Sequence, residues 1–240
     1  MLNFTRTISY PDYRTQHNLV KEMHTLLNQI GPGKMMNTAY DTAWVARLHK
    51  LNEPIAEDAL NWLRNHQLAD GSWGANQPLY HHDRVVCTLA ALIALAERGL
   101  EQDAARIKRG VTALEHHQTR LHLDISGETI AFEMIMPALI AEAKALNLVP
   151  LDRTGMLDEM NRIREMKLAK SPGKIISRLT TLAFSSEMAG PDGSHILDLE
   201  NLQEPDGSIG YSPSATAYFL LNFAPNNRAA LDYLRATCRN

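Results

Sequence analysis

One short phrase occurs twice in this chain, and it constrains the fold more than any other feature. Gln67-Leu68-Ala69-Asp70-Gly71-Ser72-Trp73-Gly74 returns 136 positions later as Gln203-Glu204-Pro205-Asp206-Gly207-Ser208-Ile209-Gly210. The shared skeleton is Q-x-x-D-G-S-[W/I]-G. Asp-Gly favours a tight turn, because Asp bonds its own downstream backbone and Gly accepts a positive φ without steric cost. Each copy follows a segment that reads as helix and precedes another, so the phrase implies an architecture that itself repeats. The Gln of each copy can reach backbone groups at the ends of neighbouring helices. Trp73 or Ile209 then fills the gap between them.

Helical patterning dominates the remainder. Residues 55–67 place Ile55, Leu60, Trp62 and Leu63 on one face with polar residues between, which predicts an amphipathic helix. Residues 84–98 are apolar on most sides and predict a buried inner helix. Residues 129–148 read as a long apolar helix kinked at Pro137, and 152–168, 214–223 and 228–237 as further helices. Breaks are expected at 69–74, Gly99, Gly110, 171–173, 190–193 and 205–210, where Gly, Pro or Asp-Gly occurs. Apolar inner helices alternating with amphipathic outer ones predict an all-α fold, a helical toroid or α-barrel rather than a four-helix bundle. Residues 1–37 read as a separate leader, with a helix at 16–30 ending at Gly31-Pro32-Gly33.

Charge and composition narrow the function. Lys and Arg number 24 against 27 Asp and Glu, giving a net charge of −3. The basic residues form no stripe interleaved with aromatics, so no nucleic-acid partner is expected. The longest apolar run, 85–96, falls short of the ~20 residues of a membrane span. The N-terminus has no apolar secretory core, and two cysteines, Cys87 and Cys238, make no disulfide framework. A reduced, cytoplasmic protein is the expectation.

Several motifs hold less chemistry than they suggest. Gly31-Pro32-Gly33-Lys34 lacks the spacing of a phosphate loop, and Met35 stands where a magnesium-binding hydroxyl belongs. His81, His82 and Asp83 cannot converge on one ion if they open a helix, since successive side chains point ~100° apart. Asp83 and Arg84 are read instead as helix-start and ion-pair residues. His116, His117 and His122 are expected on a solvated face. In Thr38–Ala46, Asp41 is expected to cap a helix on which Tyr40 and Trp44, four apart, share one face.

That last segment, Thr38-Ala39-Tyr40-Asp41-Thr42-Ala43-Trp44-Val45-Ala46, closely resembles the S-A-Y-D-T-A-W-V-A signature of class II diterpene cyclases. The match continues in register through Asn61-Trp62-Leu63, the Gln67–Gly74 phrase, Tyr80-His81-His82-Asp83-Arg84, Ala131-Phe132-Glu133, Lys167-Leu168, Asp206-Gly207-Ser208 and Tyr211-Ser212-Pro213-Ser214-Ala215-Thr216-Ala217-Tyr218. It spans about residues 37–235. The resemblance implies paired α-barrel domains, β and γ, with geranylgeranyl diphosphate bound between them. A D-x-D-D motif in β protonates the terminal alkene, and the diphosphate is retained. On this mapping 38–51 is the first helix of β and 52–240 is γ.

No D-x-D-D occurs in these 240 residues. The chain therefore reads as the N-terminal part of such an enzyme, inactive alone and lacking its β core as a partner. An apolar face left by that missing domain predicts self-association. The rival reading is a non-catalytic helical binding or assembly module that partners a separate β chain. By the resemblance, Lys167 falls where the family places a lysine near the diphosphate, chemistry suited to an ammonium; its alternative is a lysine snorkelling at the surface. The family's acidic magnesium motif should lie just before Ala131. Asp124 and Glu128 are the carboxylates offered there, fewer than the motif supplies, for a Mg²⁺ that prefers oxygen ligands. Phe184 aligns with a histidine that supports the terminating base in copalyl diphosphate synthases. Its π face can line the cation site but takes no proton, which implies a rearranged, halimadienyl- or kolavenyl-type product.

Overall fold

The computed structural model describes residues 13–30, 36–124, 131–148, 156–170, 173–190 and 195–238. The chain divides into two compact units, Met1–Met36 and Asn37–Asn240. The first contains α1 (Tyr13–Ile30), along which Leu19, Val20, Met23, Leu26 and Leu27 are exposed at helical spacing. The second contains α2 (Ala39–Ala46), α3 (Ile55–Asn65), α4 (His81–Arg98), α5 (Ala104–Gln118), α6 (Phe132–Ala145), α7 (Met156–Ala169), α8 (Pro213–Asn222) and α9 (Arg228–Thr237). Short 3₁₀ segments join them, the longest being Thr181–Ala189. The described residues contain isolated β-bridges but no strand, so the fold is all-α.

The second unit is organised around α4. Its Ala- and Leu-rich sequence offers no polar face, and apart from Asp83 it is buried from His81 to Leu95 between α2, α3, α5 and α6. Each Leu or Ile buried there contributes roughly 1.5–3 kcal/mol. The helix stops at Gly99, whose φ of 67° is left-handed and whose amide returns to the Leu95 carbonyl. At the other side of the unit, α8 packs on α2, α9 and the Thr181–Ala189 segment.

The two copies of the repeated phrase fold alike. In the first, Gln67 Nε2 donates to the carbonyls of Gly71 and of Arg106 in the first turn of α5. In the second, Gln203 Nε2 donates to the Gly207 carbonyl and to the side chain of Asn227, the N-cap of α9. Asp70 and Asp206 each accept from the amide and hydroxyl of the Ser two residues on. Trp73 and Ile209 are fully buried, and their amides donate to Thr88 on α4 and Thr216 on α8. Gly71 and Gly207, at φ of 90° and 92°, lie directly on the backbone of α5 at Arg109 and of α9 at Ala229. The copies differ at their entry: the first follows α3, whereas the second follows only the 3₁₀ turn Leu199–Asn201.

Three expectations are corrected. Gly110 is not a break but lies buried inside α5, a helix not anticipated from the pattern; a Cβ there would sit 2.8 Å from Leu92 and 2.9 Å from Trp73. Close packing, not a turn, demands that glycine. Thr38, not Asp41, caps α2, its hydroxyl accepting from the Asp41 amide. The Asp41 carboxylate bonds the Thr38 hydroxyl and also accepts from the Ser214 amide in the first turn of α8. Finally, His116 and His122 are exposed, but His117 is buried at 2%. Its Nε2 meets Asp70 at 3.2 Å and its Nδ1 meets His81 Nδ1 at 2.9 Å.

Candidate functional site

The start of α6 and the end of α7 form one side of a cleft of about 400 Å³. Its lining is mostly apolar, including Met134, Leu168, Ile175, Leu182, Met188 and Ile196, with Lys167, Lys170 and Glu133 as its charged members. The local folding explains the placement. Ala131 takes a left-handed conformation, φ 59°, and launches α6, so that Glu133 stands in its first turn. Lys167 stands in the last turn of α7, which packs on α6. The Lys167 ammonium pairs with the Glu133 carboxylate. Glu133 is well covered while Lys167 is half exposed. An apolar cleft with a fixed ammonium suits an amphiphile with an anionic head.

Phe184 lies two residues after Leu182 on the 3₁₀ segment but is not part of the cleft lining. It is 37% exposed, and its backbone approaches Gly210 so closely that a Cβ there would lie 2.3 Å from the Phe184 amide nitrogen. The second copy of the repeated phrase thus seats the segment that carries Phe184.

Asp124 sits elsewhere, at the start of α4. Its Oδ1 accepts from the His81 amide, and its Oδ2 from the His82 amide and ring at 2.8 and 2.6 Å. Burial pushes this carboxyl up, but those hydrogen bonds outweigh it and hold it below the usual carboxylate range. Glu128 lies outside the described residues. Among the described residues no group of three or more His, Cys, Asp or Glu could hold a metal ion. With both Asp124 oxygens committed to α4, the described residues do not fit the magnesium site that the resemblance implies.

The signature residues build a separate buried network. Tyr40 donates to Glu187 Oε1 at 3.1 Å, Ser214 does so at 3.3 Å, and Trp44 packs edge-on against Tyr218. Asp83 accepts from the Ala75 amide. Arg84, 4% exposed, donates to Asp70, Ser72 and the carbonyls of Ala75 and Asn76. Arg84 therefore ties the first repeated turn to α4, as an ion-pair residue should. Sequence reasoning missed Glu187, because an acid among Ser185, Ser186 and Met188 carries no pattern that marks burial. It also gave Glu133 no role, although the residue pairs with Lys167.

No family model matches the chain. It is 43% identical over 221 residues to a type B diterpene cyclase of Mycobacterium tuberculosis, covering 90% of this chain and 44% of that protein. It is 36% identical over 210 residues to a chloroplastic copalyl diphosphate synthase of Salvia miltiorrhiza, covering 83% of this chain and 25% of that one. Its structure matches the Arabidopsis thaliana ent-copalyl diphosphate synthase solved with (S)-15-aza-14,15-dihydrogeranylgeranyl thiolodiphosphate, with a TM-score of 0.75 and 31% identity over 93% of this chain and 32% of that chain. The chain thus spans less than half the length of each of these relatives. No described helix is long and apolar enough to cross a membrane. In sequence and in fold, over most of its own length, the chain is a homologue of the class II diterpene cyclases.

Proposed function

We propose that the chain forms the diphosphate-holding portion of a class II diterpene cyclase acting on geranylgeranyl diphosphate. The observation that carries this reading is the Lys167–Glu133 pair beside an apolar-lined cleft. Lys167 binds the diphosphate head and the apolar lining receives part of the prenyl chain. The likeness to a synthase solved with a geranylgeranyl thiolodiphosphate supports the substrate class. In the whole protein a proton adds to the terminal alkene, the rings close onto the resulting cation, and a proton is lost elsewhere. The reaction is therefore an isomerisation, and the C–O bond to the diphosphate stays intact. The D-x-D-D motif to which this reading assigns the first proton transfer does not occur in these 240 residues, and on this reading the chain alone binds substrate without turning it over. Residues 38–51 as the first β helix and 52–240 as γ belong to this proposal, as does a β core as partner. Phe184 in place of a histidine favours hydride and methyl shifts before proton loss, hence a halimadienyl- or kolavenyl-type diphosphate. No step is routed through magnesium.

The test uses this chain with geranylgeranyl diphosphate. Binding without product is expected, and Lys167→Ala should weaken it about 10- to 100-fold, the worth of a charge-assisted contact of about 1.5–3 kcal/mol. A cyclised diphosphate formed by this chain alone would overturn the assignment of the acid to a missing domain. Unchanged binding by Lys167→Ala would remove Lys167 from the site.

A further inference from the structure

The Thr181–Ala189 segment supplies two side chains of the cleft lining, Leu182 and Met188. It is two short 3₁₀ runs interrupted at Ser185, whose φ of −125° is non-helical. One side chain reaches out of it to two other elements. Glu187, 3% exposed, accepts at Oε1 from the Tyr40 hydroxyl on α2 and from the Ser214 hydroxyl on α8. Its neighbour in the chain is Met188 of the cleft. We propose that Glu187 is a positioning residue for the prenyl-diphosphate cleft: its clasp on Tyr40 and Ser214 fixes the 181–189 segment and so sets the part of the cleft lining that Leu182 and Met188 supply. This rests on the cleft assignment made above.

The surroundings make the clasp sensitive to protonation. Tyr40 and Asp41 face Glu187 from α2, and Ser214 and Tyr218 from α8. Arg164 of α7 spends one guanidinium nitrogen on the neighbouring carbonyls of Met188 and Ala189. Among the described residues Glu187 makes no ion pair, and its Oε2 has no hydrogen-bond partner. Burial pushes the carboxyl up to about 8, so at neutral pH the clasp is a neutral acid. Ionisation would leave a buried carboxylate near Asp41 with no counter-ion, and the segment would have to open to water. The folded value lies above the unfolded 4.5. The unfolded chain therefore sheds this proton first, and the stability Glu187 confers, complete below pH 4.5, is lost as pH rises to about 8.

Three measurements on this chain test the clasp. Amide exchange over residues 181–189 should quicken about tenfold in Glu187→Ala, the equivalent of about one or two lost hydrogen bonds, and stay near wild type in Glu187→Gln. If Glu187→Ala does not fold, Ser214→Ala removes one arm and should give a smaller rise in the same segment. Between pH 4.5 and 8, the unfolding constant of wild type relative to Glu187→Gln should climb by up to about tenfold per pH unit; a flat ratio would refute a titrating clasp. Geranylgeranyl diphosphate should bind Glu187→Ala about tenfold more weakly than wild type. Equal binding, or unchanged exchange, would overturn the positioning role. If wild type binds no geranylgeranyl diphosphate while exchange behaves as expected, the cleft assignment falls, and with it the clasp's role toward substrate.

Discussion

Three glycines with positive φ separate backbone strain from steric overlap. Gly207 and Gly71 have nearly the same φ, 92° and 90°. Replacing either with Ala therefore incurs about the same conformational cost, of order 1–2 kcal/mol for a side chain forced into that region. They differ in what a new Cβ meets. At Gly207 it would lie 2.2 Å from the Ala229 carbonyl oxygen and 2.5 Å from its carbon; at Gly71 it would lie 2.7 Å from the Arg109 oxygen. Gly173, with φ 74°, has nothing within 4 Å. Gly173→Ala should thus cost only the strain, about 1 kcal/mol. Overlap with helical backbone adds about 1–3 kcal/mol. At Gly207, displacement of the start of α9 also loosens the two bonds that join Gln203 and Asn227, each worth about 1 kcal/mol. The expected losses are about 4 kcal/mol for Gly207→Ala, about 3 for Gly71→Ala and about 1 for Gly173→Ala. Urea unfolding with an unchanged slope measures them. If Gly207→Ala costs no more than Gly173→Ala, the repeated phrase is not held by close backbone approach, and its glycine serves only the turn.

Further outcomes follow from the polar groups. Burial lowers the His81 and His117 imidazoles below 6.5, so below that pH the unfolded chain takes up protons that the folded chain refuses. Stability should be complete above pH 6.5 and fall on acidification, and His117→Gln should cut the slope of melting temperature against pH to about half. Asp124→Ala removes the acceptor for two amides and a ring at the start of α4, and should cost about 2 kcal/mol in urea unfolding; a neutral effect would show that these bonds do not hold the helix end. In the whole cyclase proposed above, Phe184→His should move the product mixture toward earlier proton loss, read by mass spectrometry after dephosphorylation. An unchanged mixture would place Phe184 away from the cation.

The legible parts of the fold were those with strong local periodicity. The apolar run of α4 and the amphipathic α9 were placed nearly to the residue, and the repeated phrase was placed at turns that pack alike. α5 was missed because Gly110 resembles a break, while the reason for it lies on Leu92 and Trp73, distant in sequence. His117 was misplaced for a related cause. A histidine at the end of a polar helix looks solvated until Asp70 and His81 arrive from other elements. Asp41 lies in the first turn, where caps belong, yet its carboxylate spans 173 residues to reach Ser214. Within the site, Lys167 was indicated by resemblance alone. Glu133 and Glu187 acquire meaning only from the elements that surround them.

The Asp41–Ser214 bond also has a consequence for synthesis. At ribosomal rates of about 5–20 residues per second, α2 leaves the exit tunnel roughly ten to thirty seconds before α8 does. During that interval the Trp44 indole has no Tyr218 edge to meet, and the Asp41 carboxylate has no Ser214 amide. Until then α2 is held by α3, α4 and the 3₁₀ segment Arg47–Leu51 that follows it. It carries an aromatic-bearing face that stays without its partner until the last two helices emerge.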